Sequence, residues 1–210
     1  MAEVIDTLSV ETPPGGFHQA AGQTIPIEQR TDVTVDELER MSLPHPTELY
    51  NGKVVFKNIS PKRDIIKSNL KSALKFYLQR NHIGAVTTET GFQLWPDRPK
   101  DLRIPDVAFI KRERLPKEAR RFPMITPDVI AEITTPQDTF SGVISRIEDY
   151  LEQGARMVWL IVDSRRLREV MVWTIMEKQM EGQRVRDILT APELLPGFEL
   201  PVDKIFEGLS

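Results

Sequence analysis

The chain contains no cysteine and no long apolar segment, and each absence excludes a class of protein. Without cysteine it can form neither disulfide bonds nor thiolate metal sites, and such a composition is typical of cytoplasmic proteins. No segment approaches the about 18 consecutive apolar residues of a membrane-spanning helix. Glu3 and Asp6 stand where a signal peptide has basic residues. We therefore expect a cytoplasmic protein that does not enter a membrane.

Several catalytic motifs are also missing. The chain has no G-x-S-x-G nucleophile elbow, no G-x-x-x-x-G-K phosphate loop and no G-x-G-x-x-G dinucleotide fingerprint. Its three histidines, His18, His45 and His82, lack H-x-x-x-H metal spacing, and we interpret them as surface or structural residues. The 28 basic and 31 acidic residues give a net charge of −3, which does not suit a protein that coats nucleic acid. Any contact with nucleic acid must therefore be local.

The 210 residues are enough for one domain with a sizeable core. Residues 1–30 show no sustained periodicity and contain the structure-breaking sequence PPGG, so we predict a flexible N-terminal extension there. The domain itself is expected to cover residues 31–210. It should open with a capping box, in which Thr34 and Glu37 start a short helix that ends near Ser42.

A mixed α/β or α+β order of elements is predicted for the domain. Asn51-Gly52 favours a turn with positive φ and therefore a hairpin, and apolar residues recur at helical spacing over residues 62–80. Residues 181–183 (EGQ) are expected to form a turn, and residues 195–200 should pack back onto the domain. The other predicted elements are strands at 54–59, 85–89, 91–95, 104–110, 128–134, 157–162 and 170–175 and a helix at 141–154.

Two acidic residues lie in strands that are otherwise apolar. Glu132 is surrounded by β-branched residues in PDVIAEIT, and Asp106 leads into a similar run in IPDVAFI. A carboxylate buried there without a partner would cost several kcal/mol, so a cation should contact it. Separately, each acid has a structural interpretation: a hydrogen bond at a strand end for Asp106, and an ion pair with an arginine for Glu132. Together, they favour a divalent metal site and metal-dependent phosphodiester chemistry.

Residues 111–121 (KRERLPKEARR) contain six basic and two acidic residues and connect the two acidic strands. Charge runs of this kind are usually solvated loops. The alternative is a loop that binds phosphate beside the metal site, and this alternative favours a polymeric substrate over a small molecule.

Over residues 34–208 the sequence resembles the Uma-type restriction endonuclease family of the PD-(D/E)XK nuclease superfamily. The resemblance implies a restriction-endonuclease-like fold, with a mixed central β-sheet flanked by helices. It also implies that Asp106 and Glu132 bind Mg²⁺ or Mn²⁺, that Glu48 is an accessory acid, and that the substrate is DNA, which a homodimer would bind. The segments that carry the resemblance are 48–53 (ELYNGK), 60–61 (SP), 104–108 (IPDVA), 132–136 (EITTP), 150–159 (YLEQGARMVW) and 195–197 (LPG).

The chain departs from the pattern of that superfamily at one position. The pattern has a lysine two residues after the glutamate or on a neighbouring helix, but Thr134 and Arg146 occupy these positions here, and no lysine occurs between Lys117 and Lys178. Arginine can bind a phosphate through its guanidinium fork, but it stays protonated and cannot act as a base. Arg146 is therefore either a working substitute or a sign of lost activity.

Three functions follow from these observations. The first is a magnesium-dependent endonuclease, in which Glu48, Asp106, Glu132 and Arg146 form the active site. The second is a catalytically silent binding or assembly module with the same fold, and the third is a metal-dependent hydrolase of a small phosphorylated substrate. The first requires Asp106 and Glu132 on neighbouring strands, because carboxylate oxygens more than about 8 Å apart cannot share one ion. It also requires Arg146 to point into the same cleft.

Overall fold

A computed structural model describes residues 26–43, 45–57, 60–117, 120–134, 138–164 and 167–209. The predicted extension, residues 1–30, falls largely outside these ranges. Its last residues include a 3₁₀ helix at Ile27–Gln29, and Ile27 packs against a small apolar cluster. Arg30 donates hydrogen bonds to Asp32 and Glu37, so residues 26–30 are joined to the domain.

Four α-helices and ten β-strands follow within the described ranges. Half of the predicted capping box is present: the Thr34 hydroxyl accepts a hydrogen bond from the Glu37 amide at 3.1 Å, whereas the Glu37 carboxylate accepts hydrogen bonds from Arg30. The elements are α1 (Val35–Arg40), β1 (Thr47–Tyr50), β2 (Lys53–Phe56), α2 (Pro61–Arg80), β3 (Gly84–Thr88), β4 (Val107–Lys111), β5 (Val129–Ile133), α3 (Phe140–Glu152), β6 (Met157–Asp163), β7 (Arg168–Met176), β8 (Gln179–Val185), β9 (Ile188–Ala191), β10 (Leu195–Pro201) and α4 (Val202–Ile205).

Six strands form a mixed central sheet in the order β3-β4-β5-β6-β7-β8. Among these six, β5 and β6 are the parallel pair, because the helix α3 connects them and returns the chain to the same end of the sheet. The other neighbours in this sheet are antiparallel. The predicted mixed central sheet flanked by helices is therefore confirmed.

The two long helices cover opposite faces of this sheet. On one face, Ile66, Leu70 and Leu74 of α2 pack against alternate strand residues such as Phe109 and Ala131. On the other face, α3 packs against the intervening residues of the same strands.

Within the described ranges, no helix is long and apolar enough to cross a membrane. The interior strands are apolar on both faces, so a charged residue within one of them requires a specific partner.

The hairpin β1–β2 lies outside the central sheet. Its turn has Asn51 at φ 49° and Gly52 at φ 83°, as the predicted Asn-Gly turn requires. A Cβ atom at Gly52 would lie 2.5 Å from the Thr31 carbonyl oxygen, so this close approach also needs glycine. A β-bridge between Leu49 and Leu102 holds the hairpin beside the segment that leads into β4.

Two sequence predictions are wrong. Residues 91–95 form no strand and contribute only a bridge between Phe92 and Arg103, because their apolar side chains fill the core beneath α3 rather than one face of a sheet. The turn predicted at 181–183 lies within β8, and Glu177 and Lys178, both with positive φ, make the turn instead. Gly182 lies under the Trp173 ring, where a Cβ atom would be 2.8 Å from ring carbons.

Candidate active site

Asp106 and Glu132 lie at the same end of two neighbouring strands. Asp106 directly precedes β4, and Glu132 is the fourth residue of β5. Val107 pairs with Ala131 across the antiparallel ladder, so Asp106, which precedes Val107, and Glu132, which follows Ala131, lie at the same end of this pair of strands. Each acid is only 2% exposed. The structure therefore places the two predicted metal ligands together in the interior.

Lys57, which follows β2, brings its ammonium group between the two carboxylates. Its Nζ lies 3.4 Å from Asp106 Oδ1 and 3.5 Å from Glu132 Oε2. The same Nζ donates a hydrogen bond to the carbonyl oxygen of Ile104. Because one nitrogen contacts both acids, their nearest oxygens lie closer than the about 8 Å at which they could no longer share an ion.

Arg63, in the first turn of α2, binds Asp106 with both arms of its guanidinium fork. Its Nε lies 2.9 Å from Oδ1 and its Nη2 2.8 Å from Oδ2. The Ile133 amide donates a further hydrogen bond to Oδ2 at 2.8 Å. Arg63 Nη2 is also 3.9 Å from Glu132 Oε2. Asp106 is thus held by an arginine, a lysine and a backbone amide.

Helix α3 supplies two further residues. The Tyr150 hydroxyl donates a hydrogen bond of 2.6 Å to Glu132 Oε1. Arg146 lies one turn earlier and donates to Asp138 at 2.7 Å, but its charge also acts on Glu132. Within the described part of the chain, the Nε atom of Arg146 is buried without a hydrogen-bond partner. Arg146 therefore acts electrostatically on Glu132, while its ion pair among the described residues is with Asp138.

Glu48, on β1, has both carboxylate oxygens engaged. Oε1 accepts a hydrogen bond from the Ile104 amide at 2.8 Å, and Oε2 accepts one from the Tyr50 hydroxyl at 3.1 Å. Its negative charge acts on both Lys57 and Glu132. The accessory acid of the sequence analysis thus belongs to the same electrostatic cluster, and it also anchors the hairpin to the start of β4.

The two carboxyl groups respond in opposite directions to this setting. Burial raises the pKa of Glu132, and the charges of Asp106 and Glu48 add to this effect, while Lys57 and Arg146 oppose it. Burial would also raise the pKa of Asp106, but the charges of Lys57 and Arg63 outweigh it and lower that pKa. For Lys57, burial is outweighed by the two acids, so its pKa is raised and it stays charged.

These opposite shifts give a testable pH dependence for the metal-free protein. Glu132 binds its proton more tightly in the folded state, so the free energy of unfolding should rise as the pH falls from its folded pKa toward the ordinary value of 4.5. Asp106 has a lowered pKa, so its ionised form contributes to the free energy of unfolding. This contribution is fully present above pH 3.8, the ordinary pKa of the group, and is lost as the pH falls through the pKa of the folded protein. Carboxyl NMR titration measures the two pKa values, and urea unfolding at several pH values measures both changes in the free energy of unfolding.

Two variants show which acid causes each part of this pH dependence. Glu132→Gln should remove the rise in the free energy of unfolding between the folded pKa of Glu132 and pH 4.5, and Asp106→Asn should remove the loss below pH 3.8. Two carboxyl groups that titrate at their ordinary pKa values would contradict a shared buried site.

Whether a divalent ion fits the site depends on the oxygen atoms that Asp106 and Glu132 offer. Mg²⁺ prefers oxygen ligands, keeps several waters and is commonly bound through one or two carboxylates. Asp106 and Glu132 supply two such groups at one point, and both fit the ion. Among the described residues, no cluster of three or more His, Cys, Asp and Glu side chains could hold a metal. An ion would therefore rely on these two carboxylates and water, and it would replace the contacts that Lys57 and Arg63 make.

Sequence reasoning missed Lys57 and Arg63. The positions at which a lysine was expected lie close to Glu132 in the chain, whereas Lys57 and Arg63 lie in the hairpin and at the start of α2. One signal was present: the unpaired acids in apolar strands required cations. Which cations meet them depends on how the hairpin and α2 dock on the sheet, and the local sequence does not encode that docking.

Part of the basic segment 111–121 has a structural role. Arg114 donates hydrogen bonds to Asp128 and to the Thr126 carbonyl, each at 2.7 Å. Arg121 donates to the Met41 carbonyl at 2.7 Å. These contacts tie the segment to the domain. Arg112 is exposed at the surface.

Comparisons with known proteins agree with this architecture. Residues 35–203 match the Uma2 family, which is described as "Putative restriction endonuclease". A solved structure, a "putative nuclease belonging to DUF820" from Anabaena variabilis, superposes with a TM-score of 0.69 at 22% sequence identity. The alignment covers 83% of this chain and 97% of that one. No curated protein matches the chain. Because the family match spans most of its length, the chain belongs to the Uma2 family of restriction-endonuclease-like proteins.

Proposed function

We propose that this protein hydrolyses phosphodiester bonds in DNA with Mg²⁺ or Mn²⁺ bound by Asp106 and Glu132. The observation that carries the proposal is that a single nitrogen, Lys57 Nζ, lies within 3.5 Å of both buried carboxylates. Two acids that share one cation in this way form a compact oxygen-rich site for a divalent ion. Membership of a restriction endonuclease family supports DNA as the substrate.

The bound metal would polarise the scissile phosphate and lower the pKa of a water molecule. The protein's own residues would then position the reactants. Arg146 carries a permanent charge and would stabilise negative charge on the phosphoryl oxygens. Glu48 fixes the Ile104 backbone beside the site and would orient a water molecule. Tyr150 holds one oxygen of Glu132, leaving Oε2 directed at the position where Lys57 now lies.

The same proposal includes the organisation of the chain. Residues 31–210 would form one endonuclease-like domain, and residues 26–30 of the predicted extension 1–30 already contact it. A single domain of this size is supported by the solved neighbour, because the alignment covers 97% of that chain and 83% of this one. We propose that the protein is cytoplasmic. We also propose that it is a homodimer, because a two-fold pair of sites would match the two strands of a DNA duplex. The mass of the protein in solution tests the dimer.

One observation favours the second candidate, a catalytically silent module. Lys57 and Arg63 already neutralise Asp106 and Glu132, and the fork of Arg63 occupies both oxygens of Asp106. A fold that uses these charges only for structure would not need a metal. Such a protein would bind DNA or another partner without cutting it.

DNA cleavage separates the two candidates. We expect the wild type to cut supercoiled or linear DNA with Mg²⁺ or Mn²⁺. Asp106→Asn and Glu132→Gln should each slow cleavage by about 1,000-fold or more, because several kcal/mol of transition-state stabilisation would be lost with a metal ligand. Gel-based rate measurement on folded protein checks this.

A matched control variant is available on the surface. Glu193→Gln removes an acid whose side chain is 82% exposed and which pairs with Arg156, so it should cut like the wild type. Cleavage that survives Asp106→Asn in a folded protein would end the nuclease proposal, and so would a wild type that leaves DNA intact with both metals.

A further inference from the structure

We propose that Lys57 is a catalytic cation of this site, whose ammonium group contacts the reacting phosphate or the attacking water. The inference rests on the proposed function and deepens it. It assigns a catalytic role to the cation that the structure places between the two acids. The catalytic cation would then come from Lys57, which precedes Asp106 in the chain, and not from a residue that follows Glu132.

The position of Lys57 is the first observation. Its Nζ lies at the centre of the site, 3.4 Å from Asp106 and 3.5 Å from Glu132. In the described part of the chain, no other lysine makes ion pairs with these acids. An ion bound by both carboxylates would take over these two contacts, while the Ile104 carbonyl would still hold the ammonium group beside the ion and beside the phosphate that the ion binds.

The fixation of Lys57 is the second observation. Its side chain is only 8% exposed, and the Ile104 carbonyl accepts a hydrogen bond from its Nζ. The amide of the same residue, Ile104, donates to Glu48 on the preceding strand of the hairpin. Ile104, just before β4, is thus bonded to the hairpin twice: its carbonyl binds Lys57 and its amide binds Glu48. A catalytic group must be held in this way, because an error of about 1 Å in its position is costly.

The third observation is that Asp106 has a cationic partner besides Lys57. Arg63 already binds both of its oxygens, and the Ile133 amide adds a hydrogen bond. Burying a second cation is expensive. The plain alternative is that Lys57 serves only as the counter-ion of Glu132. That alternative makes a different prediction once a metal is bound.

The reaction itself consumes one water molecule. Its oxygen forms a bond to phosphorus while one P–O ester bond breaks. One proton of the water ends on the leaving oxygen, and the other stays on the new phosphate monoester. Lys57 transfers no proton in this scheme: as an ammonium ion, it donates hydrogen bonds to oxygens that gain negative charge in the transition state.

The test compares Lys57→Met with the wild type at saturating Mn²⁺. A bound ion neutralises Glu132, so a mere counter-ion becomes dispensable, and the variant should then cut at the wild-type rate. Our proposal instead predicts a single-turnover rate at least about 100-fold lower at every metal concentration. In the absence of DNA, Mn²⁺ binding followed by electron paramagnetic resonance should become tighter, because a competing cation has been removed.

Matched variants complete the design. Lys71→Met removes a lysine that contacts Thr88 outside the site, and it should leave the rate unchanged. If Lys57→Met does not fold, Lys57→Gln, which can still donate a hydrogen bond to the Ile104 carbonyl, serves for the same comparison. Because the chain has no cysteine, Lys57→Cys can also be aminoethylated selectively in urea and refolded. This treatment restores an ammonium group, and cleavage should return.

The outcomes distinguish the two proposals. A folded Lys57→Met or Lys57→Gln protein that cuts within about threefold of the wild type at saturating Mn²⁺ overturns the role of Lys57 and leaves the nuclease proposal intact. A wild type that leaves DNA intact overturns the nuclease proposal, and the catalytic role of Lys57 falls with it. Loss of cleavage with tighter Mn²⁺ binding supports both.

Discussion

Asp106→Ala is expected to lower the free energy of unfolding by about 3–5 kcal/mol, because it leaves Arg63 and Lys57 as buried cations without their main partner. Asp106 is 2% exposed and accepts hydrogen bonds from both arms of Arg63. Glu132 offers only longer contacts, 3.5 Å to Lys57 and 3.9 Å to Arg63. Urea unfolding in metal-free buffer near neutral pH measures the loss.

A double-mutant cycle shows whether the loss comes from the ion pair. With the single variants Arg63→Met and Asp106→Leu as its other corners, the double variant Arg63→Met/Asp106→Leu should recover much of the stability that Asp106→Leu loses, since no unpaired charge is left between these two positions. An Asp106→Ala protein within about 1 kcal/mol of the wild type would contradict the buried pairing. It would also remove the reason for placing this acid at the centre of the site.

Substitutions of Arg146 should show the second large effect. Arg146→Ala is expected to reduce cleavage by about 100-fold or more, because in the proposed function it removes a fixed positive charge that would stabilise the phosphoryl oxygens. Arg146→Lys keeps a positive charge and should retain or raise cleavage. The charge of Arg146 acts on Glu132, although its hydrogen bond is to Asp138. Cleavage rates at saturating Mg²⁺ measure both variants.

Stability must be measured alongside these rates. Arg146 is largely buried, with a side chain that is 20% exposed, so Arg146→Ala can destabilise the domain. Rates are therefore compared only for samples whose circular dichroism spectra show folded protein. Asp138→Asn is the matched control, because it weakens the hydrogen-bond partner of Arg146 and leaves the guanidinium in place. Folded Arg146→Ala that cuts like the wild type would contradict the role of this residue. If the protein is a silent module, every variant leaves DNA intact.

Local sequence patterns predicted much of the fold correctly. The Asn51-Gly52 turn, the helix α2 and the strand β5 were each recoverable, because turn chemistry and apolar periodicity act over a few neighbouring residues. The same locality explains the errors. Residues 91–95 are apolar because they fill the core beside α3, and Gly182 lies in a strand because Trp173 covers it. Neither packing partner is visible from the neighbouring sequence.

The sequence by itself determined the fold class, the family and the positions of the two buried acids. A carboxylate within an apolar strand stands out in the sequence whatever the tertiary fold is. The apolar residues around Asp106 and Glu132 are therefore enough to identify these two acids as candidate site residues. Only the tertiary structure decided which cations meet them. Lys57 and Arg63 reach the acids from a hairpin and a helix start that are distant in the chain. Such contacts depend on how whole elements dock, and this docking is set by the combined packing of the core rather than by any short motif.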